Sequence, residues 1–388
     1  MGPGDLWAEI DLGAVDHNLR ALRRLTGPQV RMLAAVKANA YGHGMVEVAR
    51  RAAASGVHML GVARVSEGIR LRLAGIETPV LIFGYTPPEA VPELLRHDLT
   101  PTVFSLATAE AMSGAALAGG RRLAVHVKVD TGMGRIGLLP EGRHPDGEGA
   151  AVPEIERIAG LRGLVPEGIY THFAASDSRD KTSAVRQFAR FTGVLSALAA
   201  RGVVFPLRHA ANSGAIIDMP ETHLDMVRPG ISVYGLYPSD EVDKARIDLI
   251  PVMTLKARIA QLKSVPAGFP VSYGSTYTTP RPTRIATVPV GYADGYRRAL
   301  SSRGVMLVGG RRVPVVGRVC MDLTMLDVGG VPGVRPGDAV VILGAQGGER
   351  ITADEIAEWL GTIHYEVVSS VMARVPRVYI HDTALERP

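Results

Sequence analysis

Short apolar runs alternate with helical patterns over the first two thirds of the chain. The runs are bounded by glycine, proline or polar residues, which is typical of buried parallel strands. Segments with apolar residues three or four positions apart lie between most of them. The predicted strands are 32–36, 58–62, 79–83, 100–103, 123–128, 166–171, 206–210 and 225–234. Eight strands, most followed by a helix, predict a (β/α)8 barrel of the TIM type.

The pattern changes after about residue 245. Short β-branched runs are separated there by turn signals such as 266–268, 309–310 and 336–338, which is typical of a mostly β domain. One helix is marked by a capping box, Thr352 to Glu355, and by Gly361 at its end. We therefore predict an α/β protein with a barrel over 1–245 and a mostly β C-terminal domain over 246–388. The first ~12 residues are candidates for packing with the second domain.

Composition narrows the class of protein. The chain has 388 residues, which is long enough for two hydrophobic cores. Its 46% hydrophobic and 21% charged residues are ordinary for a globular enzyme. The net charge is +5, and arginines occur as separate pairs along the chain rather than in a long basic run. A nucleic-acid partner therefore has little support. Neither a signal pattern nor a run long enough to span a membrane is present, and Cys320 is the single cysteine. We expect a cytoplasmic protein with no membrane partner.

Lys37 ends the first predicted barrel strand and precedes the glycine-containing segment 38–44. Only six of the 43 basic residues are lysines, so an amine at this position is unusual for this chain. Because a strand end is partly desolvated, the pKa of its ammonium can fall and leave a nucleophilic amine. The alternative is a structural lysine whose charged end reaches solvent.

Polar residues follow several other predicted strands at the same end. In a barrel of this kind the active site lies at the C-terminal ends of the strands, and the last two loops commonly bind phosphate. Here those loops contain a hydroxyl and glycine amides, which suit an oxyanion. Asn212 and Ser213 are equally typical of a helix N-cap. The residues at these strand ends are Lys128, Asp130, Arg135, His172, His209, Asn212, Ser213, Arg228, Gly230 and Ile231.

Two competing interpretations have weaker support. The segment 132–137 matches the G-x-G-x-x-G dinucleotide fingerprint, but no helical pattern follows it immediately. His126, His172 and His209 suggest a metal-dependent barrel hydrolase, but the first strand offers no His-x-His pair. We therefore expect neither a nicotinamide cofactor nor a metal. A lysine amine, a phosphate cradle and an arginine at one barrel face indicate pyridoxal phosphate (PLP) instead.

With these motifs the chain resembles the alanine racemases, which are PLP enzymes of fold type III, over essentially its full length. The resemblance implies interconversion of L-alanine and D-alanine by a two-base mechanism in an obligate homodimer. Lys37 would hold the cofactor and serve one face of the substrate, while Tyr273 of the partner subunit would serve the other. Because a free phenol titrates near ~10, that tyrosine needs nearby positive charge to act as a base. The matching segments are 36–44, 128–135, 212–213, 228–231, 272–274, 291–295 and 320–322.

The resemblance also implies roles for the remaining site residues. Arg228 would face the pyridine nitrogen, and His172 would join it in a hydrogen-bond network that includes Tyr273. Arg135 would contact the phenolate oxygen of the cofactor ring and the substrate carboxylate, and the amide of Met321 of the partner subunit would be a second carboxylate contact. In the family, the residue at the position of Lys128 is often carbamylated and positions Arg135. The phosphate would be bound by Tyr41, Ser213 and the amides of Gly230 and Ile231, and Asn212 would be a further cofactor-binding residue. Supporting positions would be taken by Lys128, Asp322 and Tyr292.

Ala373 departs from the family pattern. It precedes Arg374, where some members have a tyrosine that contacts the phosphate and narrows the entrance. The alanine removes one expected phosphate contact and relaxes the limit on substrate size. We predict alanine as the best substrate; the alternatives are a racemase of relaxed specificity that includes serine, or another enzyme of fold type III such as a D-amino-acid lyase. D-alanine would be a peptidoglycan precursor, and a catabolic role stays open.

Overall fold

The protein is described here by a computed structural model, which covers residues 4–141 and 151–381. The chain forms two compact units. The first comprises Ala14–Ala40 and Met45–Pro251, and the second comprises Tyr41–Gly44 with the described residues before Ala14 and after Pro251. Within the described residues, no helix has both the length and the apolar composition needed to cross a membrane.

The first unit is built on eight parallel strands. Strand β1 (Leu6–Asp11) belongs to the second unit. The barrel strands are β2 (Arg31–Ala35), β3 (Met59–Val62), β4 (Val80–Ile82), β5 (Leu99–Val103), β6 (Leu123–Lys128), β7 (Leu164–Tyr170), β8 (Leu207–His209) and β9 (Met226–Val227). They pair in the order β8-β7-β6-β5-β4-β3-β2-β9. The amide of Arg228 donates to the carbonyl of Ala211 at 2.9 Å, which links the two ends of the sheet. The predicted (β/α)8 barrel is therefore confirmed.

Helices alternate with these strands. They are α1 (Leu12–Thr26), α2 (Met45–Ala54), α3 (Val65–Leu73), α4 (Val91–Arg96), α5 (Leu106–Ala118), α6 (Ala151–Ala159), α7 (Thr182–Ala199) and α8 (Ser213–Asp218). Strands β3 and β4 are buried at every position, as strands covered on both faces must be. Leu33, Met59, Leu81 and Met226 form one cluster of the core, against which Phe83 packs.

The last barrel strand is much shorter than predicted. The sequence pattern predicts a strand over 225–234, but only Met226–Val227 pair as a strand, and Ile231–Tyr234 form a 3-10 helix. Pro229 has no amide hydrogen to donate to a ladder. An uninterrupted apolar run does not distinguish a strand from a buried helical turn. The prediction for residues 228–234 was therefore wrong, and the difference matters because this segment carries Arg228 and Gly230.

The second unit is mostly β. Its further strands are β10 (Met253–Arg258), β11 (Gln261–Val265), β12 (Pro270–Val271), β13 (Tyr277–Thr278), β14 (Thr283–Val288), β15 (Val305–Val308), β16 (Arg311–Pro314), β17 (Thr324–Asp327), β18 (Ala339–Gln346), β19 (Glu349–Ile351) and β20 (Arg377–Ile380). Strand β1 pairs antiparallel with β10 and parallel with β20. Helices α9 (Ala353–Leu360) and α10 (His364–Ser369) complete it. The predicted cap of α9 is confirmed, since Thr352 accepts the Glu355 amide at 3.0 Å and Gly361 ends the helix at φ 69°.

Candidate active site

Lys37 begins an unusual backbone turn just after β2. Residues 38–41 all have left-handed angles, with φ between 52° and 54°. Each non-glycine residue in this region costs about 1–2 kcal/mol, so neighbouring contacts must offset the strain. Glu67 accepts the Ala38 amide at 2.8 Å, and the side chain of Asn39 accepts the first amide of α2 at 3.0 Å. Backbone strain of this kind concentrates at functional sites.

The environment of Lys37 favours a neutral amine. Burial lowers its pKa from the usual 10.5, and the positive charges of Arg135 and Arg228 lower it further. The carboxylate of Glu67 acts in the opposite direction. The ammonium form is disfavoured because it gives up hydration without gaining a matching counter-ion. The lowered pKa increases the share of neutral amine, which is the form in which a lysine acts as a nucleophile or a base.

The pKa of Lys128, at the end of β6, is lowered like that of Lys37. Burial lowers its pKa to about 7, and the charges of Arg228 and Arg135 add to this effect against the opposing charge of Asp130. Its Nζ lies 4.6 Å from the centroid of the Tyr170 ring. A substantial share of this amine is neutral near pH 7 and available for reaction.

Arg135 lies in a loop that is organised by Asp130. One carboxylate oxygen of Asp130 accepts the amides of Gly132, Met133 and Gly134 at 3.0, 2.8 and 3.1 Å, and the other accepts the Arg135 amide at 2.9 Å. Burial alone would raise the pKa of Asp130, but these hydrogen bonds outweigh it and lower the pKa. The carboxylate thereby fixes the backbone that presents Arg135.

The dinucleotide fingerprint is part of this loop. Residues 131–137 contain no helical turn, and the polar stretch 142–150 lies outside the described residues. Gly137 has φ 140°, and a Cβ atom there would lie 2.4 Å from the Asp130 nitrogen. The glycines serve close backbone approach within the loop, so the helical context that dinucleotide binding requires is missing from the described segment.

Arg228 is the centre of a buried network at the end of β9. Its guanidinium donates to His209 Nδ1 at 2.9 Å and to the carbonyls of Thr171 and Ala210 at 2.7 and 3.0 Å. Because a guanidinium only donates, His209 carries its proton on Nε2 and donates to His126 Nδ1 at 2.9 Å. Burial and the charge of Arg228 lower the pKa of His126 to about 3 and that of His209 well below 6.5. Both imidazoles are neutral.

His172 and Tyr170 complete this network. His172 Nδ1 lies 3.4 Å from an Arg228 nitrogen, and burial, with the charge of Arg228, holds the pKa of His172 well below 6.5. The Tyr170 ring stacks on His209 with centroids 4.7 Å apart, and its hydroxyl is 2.9 Å from Thr102 Oγ1. Arg228 is therefore held on several sides by neutral groups, and the positive charge of this buried network lies on its guanidinium.

Ser213 and Gly230 form a small cradle at the ends of β8 and β9. Ser213 Oγ accepts the amide of Gly230 at 2.9 Å and that of Ser232 at 3.4 Å. Asn212 caps α8 by accepting the Ala215 amide at 3.1 Å. The N-cap interpretation is therefore confirmed for Asn212, and anion binding at Ser213 stays a prediction. Because α8 has only six residues, the donors that suit an anion are the hydroxyl and the amides rather than a helix dipole.

In the second unit, three predicted site segments meet. Ser272 Oγ donates to the Arg318 carbonyl at 2.6 Å and lies 3.5 Å from Cys320 Sγ. The Tyr292 amide donates to the Cys320 carbonyl at 3.1 Å. Tyr273, which follows Ser272, has 68% of its surface exposed. The segments 272–274, 291–295 and 320–322 thus form one exposed cluster.

Asp322 is tied to this cluster through Arg374. The guanidinium of Arg374 contacts Asp294 at 2.9 Å and Asp322 at 2.8 Å. The carbonyl of Met321 accepts the Ala293 amide at 3.0 Å. With the hydrogen bond from the Tyr292 amide to the Cys320 carbonyl, these contacts fix the backbone on both sides of the Met321 amide.

The predicted site residues therefore fall into two sets. Lys37, Lys128, Arg135, His172, Asn212, Ser213, Arg228, Gly230 and Ile231 belong to the first unit, and Tyr41, Tyr273, Tyr292, Met321 and Asp322 belong to the second. Sequence reasoning missed Glu67, Tyr170 and the role of Asp130. Of these, only Asp130 carries a local signal, since an aspartate before a glycine-rich segment is typical of a side chain that binds the following amides.

Both halves of the chain match domains of the same known family. Residues 10–238 match the family described as alanine racemase, N-terminal domain, and residues 252–379 match alanine racemase, C-terminal domain. The chain is 58% identical to an alanine racemase of Desulfosudis oleivorans, with 99% of both chains covered. It is 48% identical to that of Methanococcus maripaludis, over 97% of this chain and 99% of the other.

Solved structures agree with the sequence matches. The alanine racemase of Clostridium difficile 630 superposes with a TM-score of 0.91 at 40% identity and covers 97% of this chain and 96% of its own. The enzyme of Bartonella henselae, solved with covalently bound pyridoxal phosphate, gives a TM-score of 0.84 at 27% identity, covering 97% of this chain and all of its own. The full-length similarity in sequence and in fold leads to one assignment: the chain belongs to the alanine racemase family and is an amino-acid racemase.

Proposed function

We propose that this protein interconverts L-alanine and D-alanine with PLP as its cofactor, as a cytoplasmic homodimer. The observation that carries the proposal is the buried amine of Lys37, whose pKa is lowered by burial and by Arg135 and Arg228. The Bartonella henselae relative, which carries covalently bound pyridoxal phosphate, supports the choice of cofactor.

The residues of this chain suit PLP at each of its polar groups. A neutral Lys37 amine is the form that condenses with an aldehyde. The Ser213 hydroxyl and the Ile231 amide offer neutral donors for a phosphate. In the proposal the Gly230 amide, which donates to Ser213 Oγ in this structure, would be shared with the phosphate, and Asn212 and Tyr41 support the site. Arg228, held by His209 and two carbonyls, would donate to the pyridine nitrogen.

The chemistry divides between the cofactor and the protein. When bound, PLP withdraws electrons from the α-carbon of the substrate and makes its proton acidic. Lys37 Nζ would remove or return that proton on one face, and the phenolic oxygen of Tyr273 of the partner subunit would do so on the other. The guanidinium of Arg135 and the amide of Met321 would hold the carboxylate and so orient the α-carbon between the two bases.

Arg228 limits the electron withdrawal. An arginine donates a hydrogen bond without giving up its proton, so the ring nitrogen of the bound cofactor would stay neutral. Moderate withdrawal favours return of the proton to the α-carbon over its loss to a side reaction. In this proposal the neutral His172 beside Arg228 continues the network towards Tyr273.

The test is to load the purified protein with PLP and follow optical rotation with each enantiomer of alanine. Borohydride reduction followed by peptide mapping should attach the cofactor to Lys37. Lys37→Ala should lose labelling and activity, whereas Lys263→Ala, an exposed lysine, should keep both. Label on another lysine, or no racemisation of alanine, would reject the proposal.

Serine is the second substrate to compare, because Ala373 is small where some relatives have tyrosine. We expect kcat/KM to be higher for alanine than for serine. A clear preference for serine would change the proposed substrate from alanine to serine, and the proposed cofactor and two bases would stay the same.

A further inference from the structure

Gln187 is a buried polar residue on α7 that bonds to two active-site loops. Only 2% of its surface is exposed. Its Oε1 accepts the amide of Ala174 at 2.9 Å, and its Nε2 donates to the carbonyl of His172 at 3.0 Å and to Thr131 Oγ1 at 3.4 Å. A buried amide is costly unless its donors and its acceptor are paired. Here every one of these bonds ends on a loop rather than on the helix that carries the residue.

The two loops are those that carry Arg135 and His172. The loop after β6 also packs on Gln187, since a Cβ on Gly132 would lie 3.3 Å from Gln187 Cγ. The loops also touch directly, since Thr131 Oγ1 lies 2.7 Å from Thr171 Oγ1. The amide of Gln187 is long enough to reach both loops from outside the barrel strands.

The contacts around His172 show how the amide restrains the second loop. Arg228 donates to the carbonyl of Thr171 at 2.7 Å, and Gln187 donates to the next carbonyl, that of His172, at 3.0 Å. Two successive peptide groups are therefore held by different elements. Because the backbone is fixed at both, the His172 ring keeps its position beside Arg228.

We propose that Gln187 is a positioning residue that fixes the Arg135 loop and the His172 loop relative to each other. This inference rests on the proposed function, in which Arg135 binds the substrate carboxylate. The four hydrogen bonds that Asp130 accepts all come from the Arg135 loop itself, so they make this loop rigid and do not set its orientation against its neighbour. Gln187 supplies that orientation.

The chemistry of the amide makes the role specific. Gln187→Glu keeps the shape and the acceptor for Ala174 but places a second oxygen against the His172 carbonyl, where a donor is required. Gln187→Met keeps the approximate volume and removes all three hydrogen bonds. A residue that merely filled space would tolerate methionine better than glutamate, whereas a residue that bonds two loops should be impaired by both.

The test compares both variants with Val185→Met, an exposed change on the same helix, in the cofactor-loaded enzyme. We expect KM for alanine to rise about tenfold in both variants, which is the effect of losing about one buried hydrogen bond, with a smaller fall in kcat. Hydrogen exchange of the amides in 131–137 and 172–174 should become several-fold faster. Val185→Met should change neither quantity.

A fall in kcat with unchanged KM, in proportion to lost folded protein, would show that Gln187 is only structural and would overturn the inference. Hydrogen exchange separates this failure from a failure of the proposed function. If the wild-type protein does not racemise alanine, faster exchange in both loops still supports the coupling of the loops, and unchanged exchange refutes it.

Discussion

At the scale of single residues, burial without a matching counter-ion gives the barrel site its chemistry. Lys37 and Lys128 both have their pKa lowered by burial and by the charges of Arg135 and Arg228. Arginine keeps its proton under conditions in which lysine releases it. The arginines therefore provide fixed positive charge, and the same burial and charge lower the pKa of both lysines, to about 7 for Lys128.

Lys128 should make the stability of the protein depend on pH in a defined direction. Its pKa is about 7 in the folded state against 10.5 when unfolded. Between these values the unfolded chain binds a proton that the folded chain does not, so the free energy of unfolding rises with pH, by up to about 1.4 kcal/mol per pH unit. We expect wild type to gain stability relative to Lys128→Met between about pH 7 and about pH 10.

The measurement is a denaturant titration of both cofactor-free proteins at several pH values and one protein concentration. Buffers should be free of dissolved CO2, because it reacts with neutral amines. If the free energy of unfolding changed with pH in the same way in both proteins, the lowered pKa of Lys128 would be contradicted.

Asp130 offers a second prediction at this scale. In Asp130→Asn the remaining oxygen can still accept three amides, but the new NH2 group meets the amide of Arg135, which is itself a donor. The backbone at Arg135 should therefore shift. We expect KM for alanine to rise about tenfold or more, as for one lost hydrogen bond to a charged group. Asp240→Asn, an exposed change, is the control, and equal KM values in the two variants would reject the role of Asp130.

Sequence alone could predict the residues whose role depends on strand position. Lys37 and Lys128 end apolar runs, and the C-terminal end of a barrel strand is where catalytic groups lie. Glu67 and Gln187 could not be predicted in this way. Each is a polar residue on a helix, and its function depends on which loop amides and carbonyls the folded barrel brings against it.

At the scale of elements, the loops depend on glycine where backbone segments touch. Gly137 and Gly134 both have positive φ, at 140° and 69°. A Cβ at Gly137 would meet the Asp130 nitrogen at 2.4 Å, whereas a Cβ at Gly134 would meet nothing within 4 Å. A side chain at either position is strained by positive φ, and only at Gly137 would it also overlap with the backbone, at a φ that is less accessible to other residues.

We expect Gly137→Ala to lower the free energy of unfolding by about 1–3 kcal/mol more than Gly134→Ala, because the backbone at Asp130 cannot move away without breaking the loop. Thermal or denaturant unfolding of the two variants measures the difference. If the two substitutions lower the free energy of unfolding by the same amount, close packing at Gly137 is not the reason that glycine is required there.

Element boundaries were predictable where two signals coincide. The cap of α9 combines a capping box with a terminal glycine, and both are present in the structure. The end of β9 lacks a second signal, since the apolar residues after Gly230 fit a strand and a buried 3-10 helix equally. What decides it is tertiary: the Gly230 amide bonds to Ser213 Oγ instead of to a neighbouring strand.

At the scale of the whole molecule, the two proposed bases belong to different compact units. Lys37 lies in the first unit, and Tyr273 lies in the exposed cluster of the second with Met321, where 68% and 53% of the two side chains are exposed. Hydrophobic patterning gives no sign of which copy of the chain such residues serve. The proposal that they complete the site of a partner subunit came from the family resemblance, and it has a sharp test.

The test mixes two inactive chains. In a dimer of Lys37→Ala with Tyr273→Phe, the barrel that keeps Lys37 would receive an intact Tyr273 from the other subunit, and the second site would lack both bases. Random exchange of subunits makes half of the dimers mixed, each with one complete site, so activity should recover to about a quarter of wild type. If both bases came from one chain, every site would lack one of them and mixing would restore nothing. Co-expression of the two chains with different tags, followed by purification on both tags, isolates the mixed dimer and should give about half of the wild-type activity per dimer.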